Sequence, residues 1–438
     1  MKTTLFWHRR DLRFDDNAGL AAALQRDEPV LPLFIYDKEI LDKLPKDDAR
    51  LTFIFDHVEA LGKEAHEAGG GLLARHGKVL DVFRQLLKDY DLAAVYTNED
   101  YEPYATERDA AVAKLLQEHG VEFQAFKDQV IFAKDEVLTK NGKPHHVFGA
   151  YSKTWQAQLK PEQDFKPHPS KRLFKKENLR RPARGDASRP TLQDLGFERH
   201  EQYTPPAKLP PAKVVEHYDK TRDTPALDHG TTRMSVHLRF GTISPRALMQ
   251  QANELNKKLL NEIIWRDFFM MLLWHHPNTA TEAYDPKMRH LPYRHAPNDY
   301  QAWCEGRTGV PLVDAGMRQL NQTGYIHNRA RIVAAGFLVK QLFIDWTLGE
   351  HYFSEKLLDY DMSNNVGNWQ WMAGTGAVAA PWFRVYNPDS QQKQYDPDYE
   401  YVKKWVPEYG TDKYPSPIVD LKEGRDRALE LIRKGRGK

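Results

Sequence analysis

The strongest constraint on the fold is an alternation of short apolar runs and amphipathic segments along the first part of the chain. Five runs have the length and residue types of strands: Thr3–Trp7, Val30–Tyr36, Gly71–His76, Leu92–Tyr96 and Val121–Phe126. Apolar residues recur at helical spacing between them, over Ala49–Ala68, Val79–Tyr90 and Thr106–His119. This alternation predicts an α/β N-terminal domain with a Rossmann-like parallel sheet and ligand sites at the carboxyl ends of its strands.

The rest of the chain has a different pattern. From about Pro161 to Pro211 the composition shifts to proline and charge, which is typical of a connector. After Pro211, helical spacing and loops replace the alternating strands. We therefore predict an α/β domain over residues 1–130, a connector over residues 131–210, and an all-α C-terminal domain over residues 211–438.

Composition narrows the class of protein. The net charge of +2 is close to neutral, so nucleic acid would have to bind at a local patch. The single cysteine, Cys304, excludes an intramolecular disulfide. The N-terminus turns charged at His8–Asp11, unlike a signal peptide, and no window approaches the roughly 20 apolar residues that span a bilayer. We expect a cytoplasmic protein without a membrane partner.

Polar groups stand in apolar, aromatic surroundings in four short stretches: Gly230–Ser235, Asn261–Phe269, Gly324–Arg331 and Asp359–Trp371. A buried carboxylate such as Glu262 is costly without a partner, and a bound polar ligand would offset that cost. These stretches are therefore the candidate binding site.

Spacing within the stretches leaves simpler alternatives open. Glu262 and Arg266 are four residues apart and share a helix face, where a surface ion pair is the plainest interpretation. Asp359 and Asp361 form a carboxylate pair of the kind that metal sites and glycosidases use. No histidine or cysteine accompanies that pair at ligand spacing, so we predict no metal.

Several motifs, spread over nearly the whole chain, resemble one family. They are Phe6–Arg13 with Asp16 and Asn17, then Met317–Leu320, His327–Arg329 and Asn368–Trp371. Together they are similar to the photolyase/cryptochrome family, and most closely to its class I cyclobutane pyrimidine dimer (CPD) photolyases. The resemblance implies a helical domain that binds folded FAD, and blue-light-driven repair of ultraviolet-damaged DNA by electron transfer from reduced FAD. It also implies a monomer.

The resemblance carries the family's cofactor contacts onto this chain. The implied FAD-binding residues are Tyr218, Thr231, Thr232, Arg233, Met234, Ser235, Arg266, Asn328, Arg331, Asp359, Asp361 and Asn365. Hydroxyls and backbone N–H groups over residues 231–235 suit a pyrophosphate. Asn365 would face flavin N5, where an amide adds no charge to the anionic reduced flavin.

The resemblance also implies the lesion-facing and DNA-binding residues. The implied catalytic residues are Glu262, Trp265, Asn328 and Trp371. Glu262 would hydrogen-bond the thymine carbonyls and stabilise charge on the dimer, and the two tryptophans would pack on the flipped lesion, a behaviour already attributed to photolyases. The same four residues count as DNA contacts, and the further contacts implied to the DNA backbone are Arg222, Arg329, Arg384 and Gln391.

An electron route to the flavin follows from the same matching positions. The family usually uses three tryptophans, of which Trp369 and Trp346 are the inner and middle members here, while Tyr293 occupies the outer position. An oxidised phenol must release its proton, and water or nearby His295 would take it. The alternative outer members are Trp303 and Trp274.

Departures from the family pattern bear on specificity. Ile332 stands where a methionine normally contacts the lesion, so the pocket is expected to be less adaptable. Asn328 stands where a (6-4) photolyase carries a second histidine after His327. A (6-4) photolyase and a cryptochrome-type light receptor without repair are the alternatives to CPD repair.

Relatives hold a second, light-harvesting chromophore in the N-terminal domain, which is a folate, a deazaflavin or a flavin. Ala105 replaces the acidic residue that often binds folate. Asp100 and, by charge, Arg239 match positions used for deazaflavin. The sequence therefore favours a deazaflavin, if the site is used.

Overall fold

A computed structural model describes residues 1–186, 188–201, 206–377 and 383–436. The chain divides into two compact units, each built from three stretches. The first, the sheet unit, comprises Met1–Ala133, Gln158–Leu209 and Met234–Glu254, and the second, the helical unit, comprises Lys134–Ala157, Pro210–Arg233 and Leu255–Lys438. Because these stretches interleave along the chain, the boundaries drawn at residues 130 and 210 stay a prediction.

The sheet unit confirms the α/β prediction. Its strands are β1 (Thr3–His8), β2 (Val30–Asp37), β3 (Leu73–Gly77), β4 (Leu92–Asn98) and β5 (Glu122–Phe126). All neighbouring strands pair in parallel, in the order β3-β2-β1-β4-β5. Every residue of β1 and β2 is buried, as expected for a parallel sheet covered on both faces.

The loop after β1 is built from the motif that resembles photolyases. Asn98, at the end of β4, donates hydrogen bonds to Asp11 at 2.6 Å and to Asn17 at 2.9 Å. Asn17 in turn caps the next helix by accepting from Leu20 N at 3.0 Å. Burial alone would raise the pKa of Asp11, but His8 and the Arg9 N–H hold it well below its ordinary value. The motif thus has a structural role at the carboxyl edge of the sheet.

In chain order the α-helices are α1 (Ala18–Ala23), α2 (Lys38–Leu41), α3 (Ala49–Glu67), α4 (Val79–Asp89), α5 (Pro103–Glu118), α6 (Phe148–Gln158), α7 (Pro161–Asp164), α8 (Ser170–Leu173), α9 (Ala212–Glu216), α10 (Tyr218–Thr221), α11 (Ser235–Phe240), α12 (Pro245–Leu255), α13 (Lys257–His275), α14 (Pro297–Glu305), α15 (Pro311–Thr323), α16 (Asn328–Gly336), α17 (Trp346–Lys356), α18 (Met362–Ala373), α19 (Pro388–Tyr395), α20 (Glu400–Trp405) and α21 (Leu421–Arg436). Short 3₁₀ turns lie at Lys134–Glu136, Lys176–Asn178, Arg184–Asp186, Pro277–Ala280 and Pro286–Met288, and a π-helical segment spans Phe337–Leu342.

The helical unit is organised around α13 and α18. Asn256 caps α13 by accepting hydrogen bonds from Lys258 N and Leu259 N, and the helix ends just before Pro277. Asp361 caps α18, which ends at Gly374 in the left-handed conformation. The described residues after Pro211 form helices and loops, which confirms the all-α prediction. In the described part of the chain, no helix is both long and apolar enough to span a bilayer.

Candidate functional site

Helix α13 presents three of the predicted site residues, Glu262, Trp265 and Arg266. Glu262 lies 2.5 Å from Arg222 Nη1 and 3.4 Å from Lys258 Nζ, so its ion-pair partners are these two cations. Burial opposes the charge of Arg222, yet the neighbouring Glu262 carboxylate raises the pKa of Arg222 above its ordinary value. Arg222 and Glu262 therefore form a close, partly buried ion pair.

The indole of Trp265 is held by other aromatic rings. Phe148 stacks on it with ring centroids 3.5 Å apart and an interplanar angle of 6°. Phe268 meets it edge-on and Phe269 lies 5.4 Å away. The sequence did not predict Phe148, which lies in the stretch assigned to the connector.

The N-terminus of α16 brings together the predicted residues of the His327–Arg329 motif. Arg329 donates to both oxygens of Asp223, at 3.0 and 2.8 Å, and its guanidinium lies 4.2 Å from the centre of the Tyr395 ring. Asn328, the first residue of α16, is exposed. Arg331 pairs with Asp359 at 3.0 Å and donates to the carbonyl of Ile326. Of the two predicted carboxylates, Asp359 and Asp361, Asp359 is thus neutralised by an arginine.

The second carboxylate, Asp361, has a different role. It accepts hydrogen bonds from the Ser363 hydroxyl at 2.6 Å and from Asn364, and so caps α18. Asn365 donates its amide to the carboxylate of Glu350 at 3.0 Å, and burial raises the pKa of Glu350. The described residues contain no group of His, Cys, Asp or Glu side chains suited to a metal ion.

A polar groove of the helical unit is lined by Thr231, Arg233, Tyr325 and His327. The Thr231 and Tyr325 hydroxyls lie 3.2 Å apart, and the Arg233 guanidinium stacks 4.6 Å from the Tyr325 ring centre. Arg233 has a φ of 50°, an uncommon conformation for a residue other than glycine that recurs at functional sites. Thr232 is half-buried beside them.

His327 is a buried residue at the wall of this groove. It is 3% exposed, and burial lowers its pKa to about 4, so it is neutral near pH 7. Its Nδ1 accepts from Arg329 N at 3.1 Å, which leaves the proton on Nε2. Nε2 has no hydrogen-bond partner among the described residues. The hydroxyl of Thr231 and the guanidinium of Arg233 are groups of the kind that bind the oxygens of a diphosphate.

Other predicted cofactor residues lie at the ends of short elements. Tyr218 begins α10, its ring lies 5.2 Å from the Arg222 guanidinium, and burial raises the pKa of its phenol. Met234 is buried and Ser235 begins α11, and both belong to the sheet unit. Their role in cofactor binding stays a prediction.

The predicted electron route runs through the core of the helical unit. Trp369 is 2% exposed, meets Phe353 edge-on at 5.0 Å, and lies 6.1 Å from Trp303. Trp346, the first residue of α17, is buried in the same cluster. Trp303, one of the alternative outer members, is therefore a ring neighbour of the inner tryptophan.

Tyr293, the predicted outer member, is half-buried and lies 5.1 Å from Phe343. Its hydroxyl is buried with no hydrogen-bond partner in the described part of the chain. Burial, with Asp345 nearby, raises the pKa of Tyr293. His295 is exposed, and Trp274 lies 4.6 Å from Lys134 Nζ. The order of the route stays a prediction.

The remaining predicted DNA contacts lie around α18 and α19. Trp371 is half-buried, 6.1 Å from Tyr386. Arg384 is exposed, and Gln391 is half-buried on α19. Ile332, which replaces the family's methionine, lies on α16 and packs against the core. The Oε1 of Gln391 has no hydrogen-bond partner among the described residues.

In the sheet unit, the residues matched to an antenna site are joined by a charge network. Arg10 pairs with Asp100 at 3.1 Å and with Glu102 at 2.9 Å, and Arg239 pairs with Glu102 at 2.7 Å. Burial opposes ionisation of Asp100, but the arginines lower its pKa. Ala105 is buried on α5.

Comparison with known proteins gives consistent matches. The sequence model of the protein family described as DNA photolyase matches residues 4–171. The family model described as the FAD binding domain of DNA photolyase matches residues 259–412. A deoxyribodipyrimidine photo-lyase from Halobacterium salinarum is 34% identical, across 99% of this chain and 99% of its own length.

Solved structures agree over the full length. A bacterial class III photolyase from Agrobacterium tumefaciens has a TM-score of 0.87 and 29% identity, covering 100% of this chain and 98% of its own. An archaeal photolyase from Sulfolobus tokodaii with two FAD molecules has a TM-score of 0.82 and 31% identity, covering 99% of this chain and 100% of its own. The chain belongs to the DNA photolyase family.

Proposed function

We propose that the protein repairs cyclobutane pyrimidine dimers in DNA with blue light and bound FAD. The observation that carries this proposal is the Arg222–Glu262 ion pair. It puts a hydrogen-bond acceptor and a positive charge in the same helical unit as Trp265 and Trp371, the two rings expected to pack on the lesion. Full-length relatives named deoxyribodipyrimidine photo-lyase, at 34% and 32% identity, support it.

The residues of the helical unit fit FAD. The groove with Thr231 and Arg233 supplies a hydroxyl and a guanidinium as donors for the diphosphate. Arg331 and Asp359 would meet the ribose or the flavin edge. FAD, when bound and reduced, supplies the photoexcited electron that opens the cyclobutane ring and that returns when the two pyrimidines separate.

The chain's own residues would bind and orient the lesion. A carboxylate in an ion pair accepts hydrogen bonds and repels a developing anion, so Glu262 would accept from a pyrimidine N–H. Arg222, 2.5 Å from that carboxylate, would supply the positive charge that stabilises the dimer anion. This division of labour refines the role that the resemblance gives to Glu262.

DNA would be held mainly through its phosphates. Arg329 and Arg384, together with Gln391, are our proposed backbone contacts, and such contacts position a duplex without reading its sequence. Asn328, at the second-histidine position of (6-4) photolyases, favours cyclobutane dimers as the substrate. That the protein works as a cytoplasmic monomer remains an expectation.

A second chromophore in the sheet unit is a further part of the proposal. The Sulfolobus tokodaii photolyase contains two FAD molecules, which supports a flavin as a candidate beside the deazaflavin that the sequence favours. Near-ultraviolet absorption of protein purified from its native host would distinguish these chromophores.

The proposed function is tested on ultraviolet-irradiated plasmid DNA, in which cyclobutane dimers and (6-4) products are quantified separately. We expect cyclobutane dimers to disappear under blue light and to persist in the dark, while (6-4) products persist in both. Loss of (6-4) products would indicate the other class of photolyase. Persistence of both lesions under light, with FAD bound and reduced, would favour a light receptor.

A further inference from the structure

A segment outside the predicted site reaches Trp265. The backbone enters α6 at Phe148, a residue that is 9% exposed and whose ring is nearly parallel to the indole of Trp265 at 3.5 Å. At this distance Phe148 covers one face of the indole. Such a stacked pair is worth more than its buried area alone, because ring quadrupoles favour defined geometries.

The same segment is anchored two residues earlier. The hydroxyl of Tyr284 and Nδ1 of His146 share a hydrogen bond at 2.5 Å, across 138 residues of sequence. The ring of His276 meets Tyr284 edge-on at 4.9 Å. His146 is therefore tied to the loop that follows α13, and Phe148 is tied with it.

That loop is fixed in turn by Gln370. Gln370 is 2% exposed, accepts a hydrogen bond from Tyr284 N at 3.0 Å, and donates to the carbonyls of Thr279 and Glu282 at 2.8 and 2.9 Å. It stands between Trp369 and Trp371 in the sequence. A buried amide that satisfies three backbone groups holds the loop against α18 in one arrangement.

These contacts form one continuous brace between the two lesion-facing tryptophans. It runs from α18 through Gln370, Tyr284 and His146 to Phe148, and from Phe148 to Trp265. An indole on a helix keeps rotational freedom about its side-chain torsions unless packing removes it. A binding surface made of two rings needs both in fixed positions before the ligand arrives.

We propose that Phe148 is a positioning residue for lesion binding, and that the Tyr284–His146 hydrogen bond holds Phe148 in place. This inference rests on the proposed function, in which a flipped dimer packs against Trp265 and Trp371. It assigns a role in lesion affinity to a stretch of chain whose composition indicates a connector.

The test compares Phe148→Leu with Phe148→Tyr and with Phe337→Leu. Leucine removes the stacked ring, tyrosine keeps it, and Phe337 is a buried phenylalanine of the same unit that serves as the matched control. Each purified holoprotein is titrated with an oligonucleotide that contains one thymine dimer. FAD content and repair per absorbed photon at saturating DNA are measured in parallel.

We expect Phe148→Leu to raise the dissociation constant for the dimer by roughly three- to tenfold. FAD content and the repair yield at saturation should remain those of the parent. Phe148→Tyr should restore the parental affinity, and Phe337→Leu should leave it unchanged. Tyr284→Phe, which removes only a hydroxyl, should also raise the dissociation constant for the dimer. This variant tests the positioning role if Phe148→Leu does not fold.

Two failures are distinguishable. If the parent protein binds and repairs the dimer, while Phe148→Leu or Tyr284→Phe binds it as tightly as the parent does, the positioning role is overturned. The positioning role is also overturned if Phe337→Leu weakens binding as much as Phe148→Leu does. If the parent protein itself neither binds nor repairs the dimer, the proposed function fails, and this inference fails with it.

Discussion

Replacement of Gly349 by alanine tests the packing around the inner tryptophan. Gly349 lies within α17, and a Cβ atom there would stand 2.5 Å from Trp369 Cζ3, closer still to Cη2, and 2.6 Å from Leu338 Cδ2. Carbon atoms in contact favour separations of about 3.5–4.0 Å. The indole of Trp369 would therefore have to move by about 1 Å.

Two opposing effects set the size of the change in stability. Overpacking a core costs about 1–3 kcal/mol, whereas alanine is favoured over glycine in a helix by about 1 kcal/mol. Gly149→Ala is the matched control, because Gly149 lies in α6 and an added Cβ there would meet nothing within 4 Å. The two variants share the propensity gain, so their free energies of unfolding should differ by about 1–3 kcal/mol.

Urea unfolding followed by circular dichroism measures this difference. We expect Gly349→Ala to unfold at lower urea than Gly149→Ala, with a similar slope. Because the substitution displaces Trp369, photoreduction of the bound flavin should also be slower in Gly349→Ala and normal in Gly149→Ala. Equal unfolding free energies for the two variants would refute the packing described around Trp369.

Four further predictions follow from the helical unit. Arg222→Ala should lower the repair quantum yield because Arg222 supplies the positive charge beside the dimer anion, whereas Glu262→Ala should mainly weaken dimer binding; a normal yield in Arg222→Ala would reverse the assignment. Arg329→Ala should weaken DNA binding similarly for all sequences and reduce the salt slope by about 1, whereas an unchanged slope counts against a phosphate contact. Tyr293→Phe should shorten the life of the separated charges, and transient absorption should show a tyrosyl radical in the parent alone; a long-lived tryptophan radical unchanged in both would exclude Tyr293. Burial lowers the pKa of Lys340 from the ordinary 10.5 to about 8. Between these two pH values Lys340 is protonated in the unfolded chain and deprotonated in the folded one. Stability should rise with pH across that window in the parent and not in Lys340→Met, as urea midpoints would show.

The sheet could be predicted because its signal is local. Apolar runs such as Val30–Tyr36 differ from the observed β2 by one residue. The start of β3 shifts by two residues, since the strand begins at Leu73 and not at Gly71. The reason is that Gly69 and Gly70 donate to carbonyls of α3 and end that helix, so the glycines belong to the turn.

The site could be predicted only in part, because sequence patterns report local structure and the site is assembled from distant stretches. The resemblance names Glu262 and Trp265, but the residues that hold them come from distant stretches. Arg222 pairs with Glu262 across a connection that no spacing rule covers, and Phe148 stacks on Trp265 from a segment whose composition indicates a connector. Periodicity reports which face of an element is buried and not which distant element covers it. His327 shows the same limit, since only the structure reveals its unpartnered Nε2.

The most direct test of the account uses an oligonucleotide with one cyclobutane thymine dimer and the protein with its FAD reduced. The quantity measured is the action spectrum for the appearance of undimerised thymines. We predict that this spectrum follows the absorption of the protein-bound chromophores and that no thymines appear in the dark. Thymine release in the dark, or no release at any wavelength from a protein shown to bind reduced FAD and the dimer, would contradict the account.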